Sequence, residues 1–471
     1  MNKEHINFAV EFANLVRSTL GPRGMNKMVI DQGKILCMTN DGATIIGSMK
    51  GGHPIISLFK ELAKSQEELI GDGTTTTVIL AGQLLQNAME LMNKGIHPTC
   101  IINGYNIAKL NSFAFLNQVK EYTEVEKIIR TSFGTKLTDD IVDHLTRIIL
   151  NIEKPLELKL LCMPNEDPLR SELFKGFVFQ GFTINDLMKD DITGRIAVLD
   201  FPINWKMDKF TVTSADEMEK VQKMDAKFKK DIVDKLKILN VKWIFFTDTT
   251  PEFESYLNDA GITGVVVFNR DFIDNICKAS GAIPCAGIDQ ITDKHIGSGQ
   301  VRYVKQKSGV NGLIYVDGNF ETLILRGNTE QFLNEMKRAV DDVCSLLRNE
   351  LAVVVGAGAI EIELAKYIRS NSKKFGGKEQ MAMDKFAESL EVIPTIIAEN
   401  AGLDAINVLT ALKNIHEKEK DYGVDVELGI SNARDRGIFE PVLIKLSAIN
   451  SATNIANAIL KLDGILQGEM K

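Results

Sequence analysis

The sequence predicts a multidomain α/β protein, and three observations carry that reading. The chain has 471 residues, more than one ordinary domain holds. Both ends show apolar residues at helical spacing. Between about residues 194 and 280, short apolar runs alternate with amphipathic helical ones, the pattern of a parallel sheet covered by helices.

Composition narrows the class further. Hydrophobic residues make up 44% of the chain and charged residues 25%, as in a folded globular protein. A formal net charge of -8 argues against a general nucleic-acid binder. Cys37, Cys100, Cys162, Cys277, Cys285 and Cys344 are scattered without a CxxC pair, which fits reduced thiols better than a disulfide framework or a zinc site. The six histidines form no HExxH pattern, and His53 and His97 each precede a proline and read as turn or packing residues. No apolar run approaches a membrane span, and the first 17 residues show no signal-peptide core, so the expected setting is cytoplasmic, without a membrane partner.

Taken in order, residues 6–20 read as a helix stopped by Gly21-Pro22. A hairpin is expected next, with strands at 34–39 and 43–46 around an Asn40-Asp41-Gly42 turn. Helices follow at 54–69, from Thr74 onward, at 98–119 and at 139–150, and residues 151–171 read as loop. Strands at 196–201, 241–247 and 264–268 alternate with helices at 216–239, 251–259 and 271–279. Their strand-to-helix junctions have no glycine-rich turn, so this α/β unit lacks the phosphate cradle of dinucleotide folds. The 216–239 helix places Met218, Val221, Met224, Phe228, Ile232 and Leu236 on one stripe. That stripe is either a packed face or a protruding one whose Met and Phe adapt to varied apolar partners. Strands at 301–306 and 322–325, a helix at 330–347 and a strand at 351–355 come next, and the remainder is helical apart from a hairpin-like stretch at 422–430. Gly356-Ala357-Gly358 follows its strand as a dinucleotide fingerprint would, but Glu361 stands where the third glycine belongs.

The stretch with the most chemistry in it is Gly71-Asp72-Gly73-Thr74-Thr75-Thr76-Thr77, leading into an apolar helix. Its local reading is open. Asp-Gly and Thr are ordinary turn and capping residues. The same residues at a helix N-terminus present free N–H groups and hydroxyls to a phosphate, with Asp72 positioned for the cation that would accompany it.

The order of the motifs adds what none carries alone. LGPRGMNKM at 20–28, TNDGATI at 39–45, GDGTTTT at 71–77, TSFGTK at 131–136, ILRG at 324–327, RAVDD at 338–342, GAGAIEIELA at 356–365 and IAENAGLDA at 397–405 occur in the order seen in group II chaperonins. The chain resembles, end to end, a subunit of the eukaryotic cytosolic chaperonin, the TRiC/CCT complex. The stretches at 271–278, 287–292, 398–403 and 430–432 are most similar to the delta subunit, and those at 330–332, 377–380 and 422–425 give eta as the second candidate.

This resemblance implies a mainly helical equatorial ATP-binding domain (1–122 and 346–471), a small α/β intermediate hinge domain (123–193 and 319–345) and an inserted α/β apical substrate-binding domain (194–318). It implies ATP and Mg²⁺ as cofactors, paralogous subunits in an eight-membered ring with two rings stacked, and unfolded clients of the actin and tubulin type. Residue by residue, Leu20, Gly21, Pro22, Gly42, Gly73, Thr74, Thr75 and Thr76 would contact nucleotide, and Asp72 would hold Mg²⁺. Asp41 and Asp342 would position and polarise the attacking water, Lys136 would sense the γ-phosphate, and Gly358 and Glu440 would border the ribose and base. Asp342 would reach the water only when the hinge domain swings down, coupling hydrolysis to closure. Met224 and Phe228 would meet client. Gly-Ala-Gly at 356–358, Asn26 and Val343 depart from the family pattern, yet every catalytic carboxylate is present. The alternative implied is a structural subunit that binds ATP and hydrolyses it slowly. A stand-alone α/β enzyme lacks a Walker A motif, a full dinucleotide fingerprint or a nucleophile triad in its favour.

Overall fold

The computed structural model describes residues 4–31, 34–50, 53–134, 136–153, 157–181, 183, 191–203, 215–267, 269–305, 312–348 and 351–464. Thr135, Phe268 and Gln306 of the expected elements, and the side chain of Met218, lie outside the described residues. The chain forms two compact units, one from 1–151 with 328–471 and the other from 152–327. These boundaries fall inside both segments assigned above to a hinge domain.

The first unit opens with α1 (Glu4–Asn14), the strands β1 (Lys27–Asp31) and β2 (Lys34–Thr39), α2 (Gly42–Ser48), α3 (Pro54–Leu69), α4 (Thr74–Asn93) and α5 (Pro98–Val119). It continues through β3 (Glu121–Tyr122), α6 (Val125–Gly134) and α7 (Asp139–Ile149). The second unit runs from β4 (Lys159–Pro164) through β5 (Glu172–Gly181), β6 (Asp191–Leu199), α8 (Ala215–Ile238), β7 (Val241–Phe246), α9 (Pro251–Asp259), β8 (Thr263–Val266), α10 (Arg270–Ser280) and β9 (Gly297–Lys305) to β10 (Gly312–Gly327). The chain then returns to the first unit with α11 (Glu330–Leu346), β11 (Ala352–Val355), α12 (Ala359–Ser372), α13 (Lys378–Leu390), α14 (Val392–Asn400), α15 (Ala405–Ile415), β12 (Tyr422–Asp425), β13 (Gly429–Asn432), β14 (Phe439–Pro441) and α16 (Val442–Leu460).

The core of the first unit joins residues from both ends of the sequence. Phe12, Phe59, Leu84, Tyr105, Ile368, Phe386, Ile396 and Ile459 belong to one continuous buried cluster. α4 is buried nearly all round, with Val78, Leu80, Ala81, Leu84, Leu85, Ala88 and Leu91 inside, so it forms the axis on which the other helices pack. Two polar side chains within this core are matched. The Tyr105 hydroxyl donates to the Leu84 carbonyl at 2.8 Å, and the Asn87 amide donates to the Lys385 carbonyl and to Ser389, each at 2.9 Å. A small sheet in the order β14-β11-β3, antiparallel throughout, runs beside it.

In the second unit a seven-stranded sheet has the path β4-β10-β9-β6-β7-β8, with β5 also paired to β10. β6, β7 and β8 are parallel neighbours, as the strand and helix alternation predicts, but the sheet is mixed, because β9 is antiparallel to both β6 and β10. The parallel stretches 196–199, 243–246 and 265–266 are apolar and buried at every position because both faces are covered there. Ile196, Val198, Trp243 and Phe245 pack on one face with Ile273 and Ile276 of α10. Ala197, Leu199, Ile244 and Phe246 pack on the other with Ile232 and Leu236 of α8 and Phe253 and Leu257 of α9.

Three expectations are corrected. The hairpin pairs β1 with β2 in antiparallel register, one strand earlier than the reading above. Residues 43–46 are helical: the Asp41 carboxylate accepts the Thr44 N–H at 2.8 Å and caps α2, and a two-turn amphipathic helix is too short for its period to be told from a strand. The 151–171 stretch contains β4, and the β5 strand after it was not foreseen. Residues 131–134 finish helix α6.

Replacing Tyr105 by Phe removes only the hydroxyl and leaves the Leu84 carbonyl without this donor, so it should lower stability by about 1 kcal/mol. Thermal unfolding of the variant beside the wild type checks this.

Candidate functional site

The local structure of the Gly71 stretch follows from its glycines. Gly71 and Gly73 have φ of 82° and 81°, a region costly for side-chain-bearing residues, and the two left-handed turns lead directly from α3 into α4. Gly73 is the N-cap of α4 and brings no side chain to cap it. The first N–H groups of α4 have no carbonyl a turn earlier to bond, and the positive end of the helix dipole stands behind them. The turn itself is fastened: Gln66 donates to the Asp72 carbonyl at 2.8 Å, Ser447 donates to Gln66 at 2.7 Å, and the Asp72 carboxylate accepts the Gly73 N–H at 2.7 Å.

α2 starts beside α4. A Cβ on Gly42 would lie 2.6 Å from Thr75 Oγ1, so glycine is what permits this approach. Because Asp41 caps α2, its carboxylate is fixed at the same place where α4 begins.

Lys136 comes in on the turn after α6, its N–H bonded to the Phe133 carbonyl at 2.9 Å, and its ammonium is ion-paired with Asp342 of α11. Burial works against that ammonium, but the carboxylates of Asp342, Asp72 and Asp41 outweigh it and hold Lys136 above its ordinary value. Asp342 is 7% exposed, and burial lifts it well above the usual carboxylate range, with Lys136 opposing and Asp72 adding to the rise. Glu67, on the last turn of α3, is a further member. Burial, helped by the neighbouring Asp41 and Asp72, raises it to about 7, and its carboxylate accepts the Thr74 hydroxyl at 3.4 Å. Glu67 was not singled out in the sequence; its place on the last turn of the helix that leads into the Gly71–Thr77 stretch was the available signal.

These groups line one cavity of about 790 Å³, within the range of ligand clefts. Leu20, Gly21, Pro22, Asp41, Asp72, Gly73, Thr74, Thr75, Thr76, Lys136, Asp342 and Glu440 all line it. Gly42 and Gly358 stand behind its wall: Gly42 against Thr75, and Gly358 as the N-cap of α12, where a Cβ would lie 2.6 Å from Pro394 Cβ. Ala357, at φ 56°, takes the lining position next to Gly358. Met224 and Phe228 belong to the other unit. Met224 is 57% exposed, whereas Phe228 packs against the core between α8 and the sheet.

A second polar group on the cavity wall was not read from the sequence. Lys445 on the first turn of α16 donates to Glu361 at 2.7 Å and Glu440 at 2.5 Å. Burial opposes the Lys445 ammonium, but the two carboxylates more than compensate and raise it. Burial likewise raises Glu440. Since Lys445 holds Glu440 in place, the orientation of Glu440 is set from behind.

The residues present fit a nucleoside triphosphate with a magnesium ion. An uncapped helix start, three hydroxyls and one ammonium supply positive ends and donors for phosphates, and Asp72 stands next to the helix start where a cation would bridge. Among the described residues no three His, Cys, Asp or Glu side chains converge as a closed metal cage, so a Mg²⁺ held by Asp72 would complete its shell with phosphate oxygens and water.

Comparison with known proteins gives the family. Residues 12–469 match the model of the TCP-1/cpn60 chaperonin family. The chain is 33% identical to thermosome subunit alpha of Archaeoglobus fulgidus over 488 residues, covering 96% of this chain and 89% of that protein. It is 32% identical to a thermosome subunit of Methanocaldococcus jannaschii, over 97% of this chain and 90% of that one, and 32% identical to thermosome subunit beta of Thermoplasma acidophilum, over 98% and 92%. The chain therefore belongs to the TCP-1/cpn60 chaperonin family.

Proposed function

We propose that the chain is an ATP-hydrolysing subunit of a ring-forming protein-folding machine. The observation that supports this best is the gathering of Asp41, Asp72, Asp342 and Lys136, from four separate stretches of sequence, around one cavity walled by the uncapped start of α4. Phosphoryl transfer to water needs little covalent help from a protein; it depends on positioning and on neutralising charge. The residues divide that work. The α4 N–H groups and the Thr74, Thr75 and Thr76 hydroxyls bind phosphate oxygens, and Lys136 balances charge at the far end. Asp41 and Asp342 orient the attacking water and take up its proton. Asp72 holds Mg²⁺, which when bound neutralises phosphate charge. Leu20, Gly21, Pro22 and Gly358 border the nucleoside, and Glu440, steadied by Lys445, accepts from a ribose hydroxyl.

In the fuller form of this reading, paralogous subunits form an eight-membered ring, two rings stack, and hydrolysis drives closure over unfolded clients of the actin and tubulin type in the cytoplasm. Likeness to the delta subunit of the eukaryotic cytosolic complex rests on the short stretches at 271–278, 287–292, 398–403 and 430–432, and the second candidate, eta, on those at 330–332, 377–380 and 422–425. For client capture, the exposed Met224 on α8 is the contact residue; Phe228, packed inward, sets the position of α8 beneath it.

Two experiments test this. Asp342→Asn in the assembled full-length chain should bring single-turnover ATP hydrolysis down at least about 100-fold while ATP binding persists; unchanged hydrolysis would remove Asp342 from the mechanism. Met224→Ser lies on the surface and should leave thermal stability within about 0.5 kcal/mol of wild type while weakening capture of a denatured client. Equal capture by both proteins would take Met224 out of the client site.

A further inference from the structure

The two carboxylates assigned to the water sit on different elements, Asp41 at the start of α2 and Asp342 on α11, and a hydrogen-bond relay ties those elements together. Arg338 lies one helical turn before Asp342, on the same face of α11. Its guanidinium donates to Thr39 Oγ1 at 2.8 Å. The same hydroxyl oxygen accepts the backbone N–H of Asp41 at 3.1 Å. Thr39 is fully buried, so water does not compete for that oxygen. Thr39 Oγ1 is thus a node with α11 on one side and the Asp41 backbone on the other. Asp41 is also held through its side chain, which caps α2 at the Thr44 N–H, so the Asp41 carboxylate has little freedom once its N–H is fixed. Neither Arg338 nor Thr39 lines the cavity, so the relay stands behind its wall.

We propose that Arg338 is a positioning residue for the hydrolytic step: through Thr39 Oγ1 it keeps the Asp342-bearing helix in register with Asp41, so that both carboxylates address one water. The proposal rests on the ATP-hydrolysis reading above. A donor with the reach and planarity of a guanidinium suits a span between two backbone elements, and a hydrogen bond from a charged donor to a buried acceptor is stronger than one between neutral groups. Misplacing a catalytic group by about 1 Å can cost about 100-fold in rate, so a link with no ligand contact of its own still governs turnover.

The test uses the full-length assembled chain, with single-turnover ATP hydrolysis and equilibrium nucleotide binding measured on the same preparations. Wild type and Asp342→Asn come first; if the wild type does not hydrolyse ATP, the function reading fails independently of this proposal. Arg338→Met and Thr39→Val should each slow hydrolysis about 10- to 100-fold while nucleotide affinity stays within about 2-fold of wild type. The double variant should be no slower than the slower single, because both break one link. Thr39→Ser, which keeps the hydroxyl, should restore the rate. If Arg338→Met does not assemble, Arg338→Lys carries the test, with slowed hydrolysis and retained binding expected. Multiplying losses in the double variant, affinity falling in step with rate, or full activity of Arg338→Met or Arg338→Lys would each overturn the proposal.

Discussion

The Lys136 ammonium is the constraint on which the first unit depends. Asp41, Asp72 and Asp342 all act on it, and its ion pair with Asp342 joins positions 206 residues apart. Like-charged carboxylates crowded into a low-dielectric wall destabilise a fold unless positive charge stands among them. Among the positive groups lining this cavity are Lys136, the start of α4 and Lys445, which sits between Glu361 and Glu440. The surplus of carboxylate is chemically informative. In the proposed function it is the place for a cation and for phosphates that bring one along, and the neighbouring carboxylates add to the rise that burial gives Asp342 and Glu67.

The rest of that unit supplies rigidity. α4 is buried along its length, so its first turn cannot drift relative to the helices that surround it. Gln66 and Ser447 fasten the Asp72 turn to α16, and Arg338 and Thr39 fasten α11 to the Asp41 corner. The groups proposed to be catalytic are therefore carried on packed elements whose own positions are over-determined, which is what reaction geometry requires. The second unit follows separate rules. Its parallel strands are buried on two faces and its α8 helix leaves Met224 outside, so it offers a rigid sheet with an adaptable helical edge.

Much of this was legible in the sequence. The Gly71–Thr76 stretch declared a helix start with open N–H groups, and the alternation of strands and helices at 194–280 appears as the parallel part of the second sheet. What failed did so for local reasons. Asn40-Asp41-Gly42 carries the same residues for a hairpin turn as for a helix cap, and only the Thr44 N–H reaching the Asp41 carboxylate distinguishes them. Gly42 earns its place through the nearness of Thr75, a tertiary fact that no local pattern records. Glu67, Lys445 and Arg338 read as ordinary charges on helices. Each acquires a role only through tertiary neighbours: Arg338 through Thr39, Lys445 through Glu361, and Glu67 through Asp41 and Asp72. The β4 and β5 strands were missed because a strand of a mixed sheet, edged by proline and polar residues, lacks a clean period.

The central claim is that this cavity holds Mg²⁺-bound ATP with its phosphates on the start of α4. The most direct measurement is an electron cryomicroscopy map of the assembled full-length protein with Mg²⁺ and a non-hydrolysable ATP analogue. The account predicts nucleotide density between Gly21 and Glu440, phosphates against Gly73–Thr76, a metal at Asp72, and Asp41 and Asp342 on either side of the terminal phosphate. Nucleotide bound elsewhere, or this cavity free of nucleotide at saturating analogue, would contradict it.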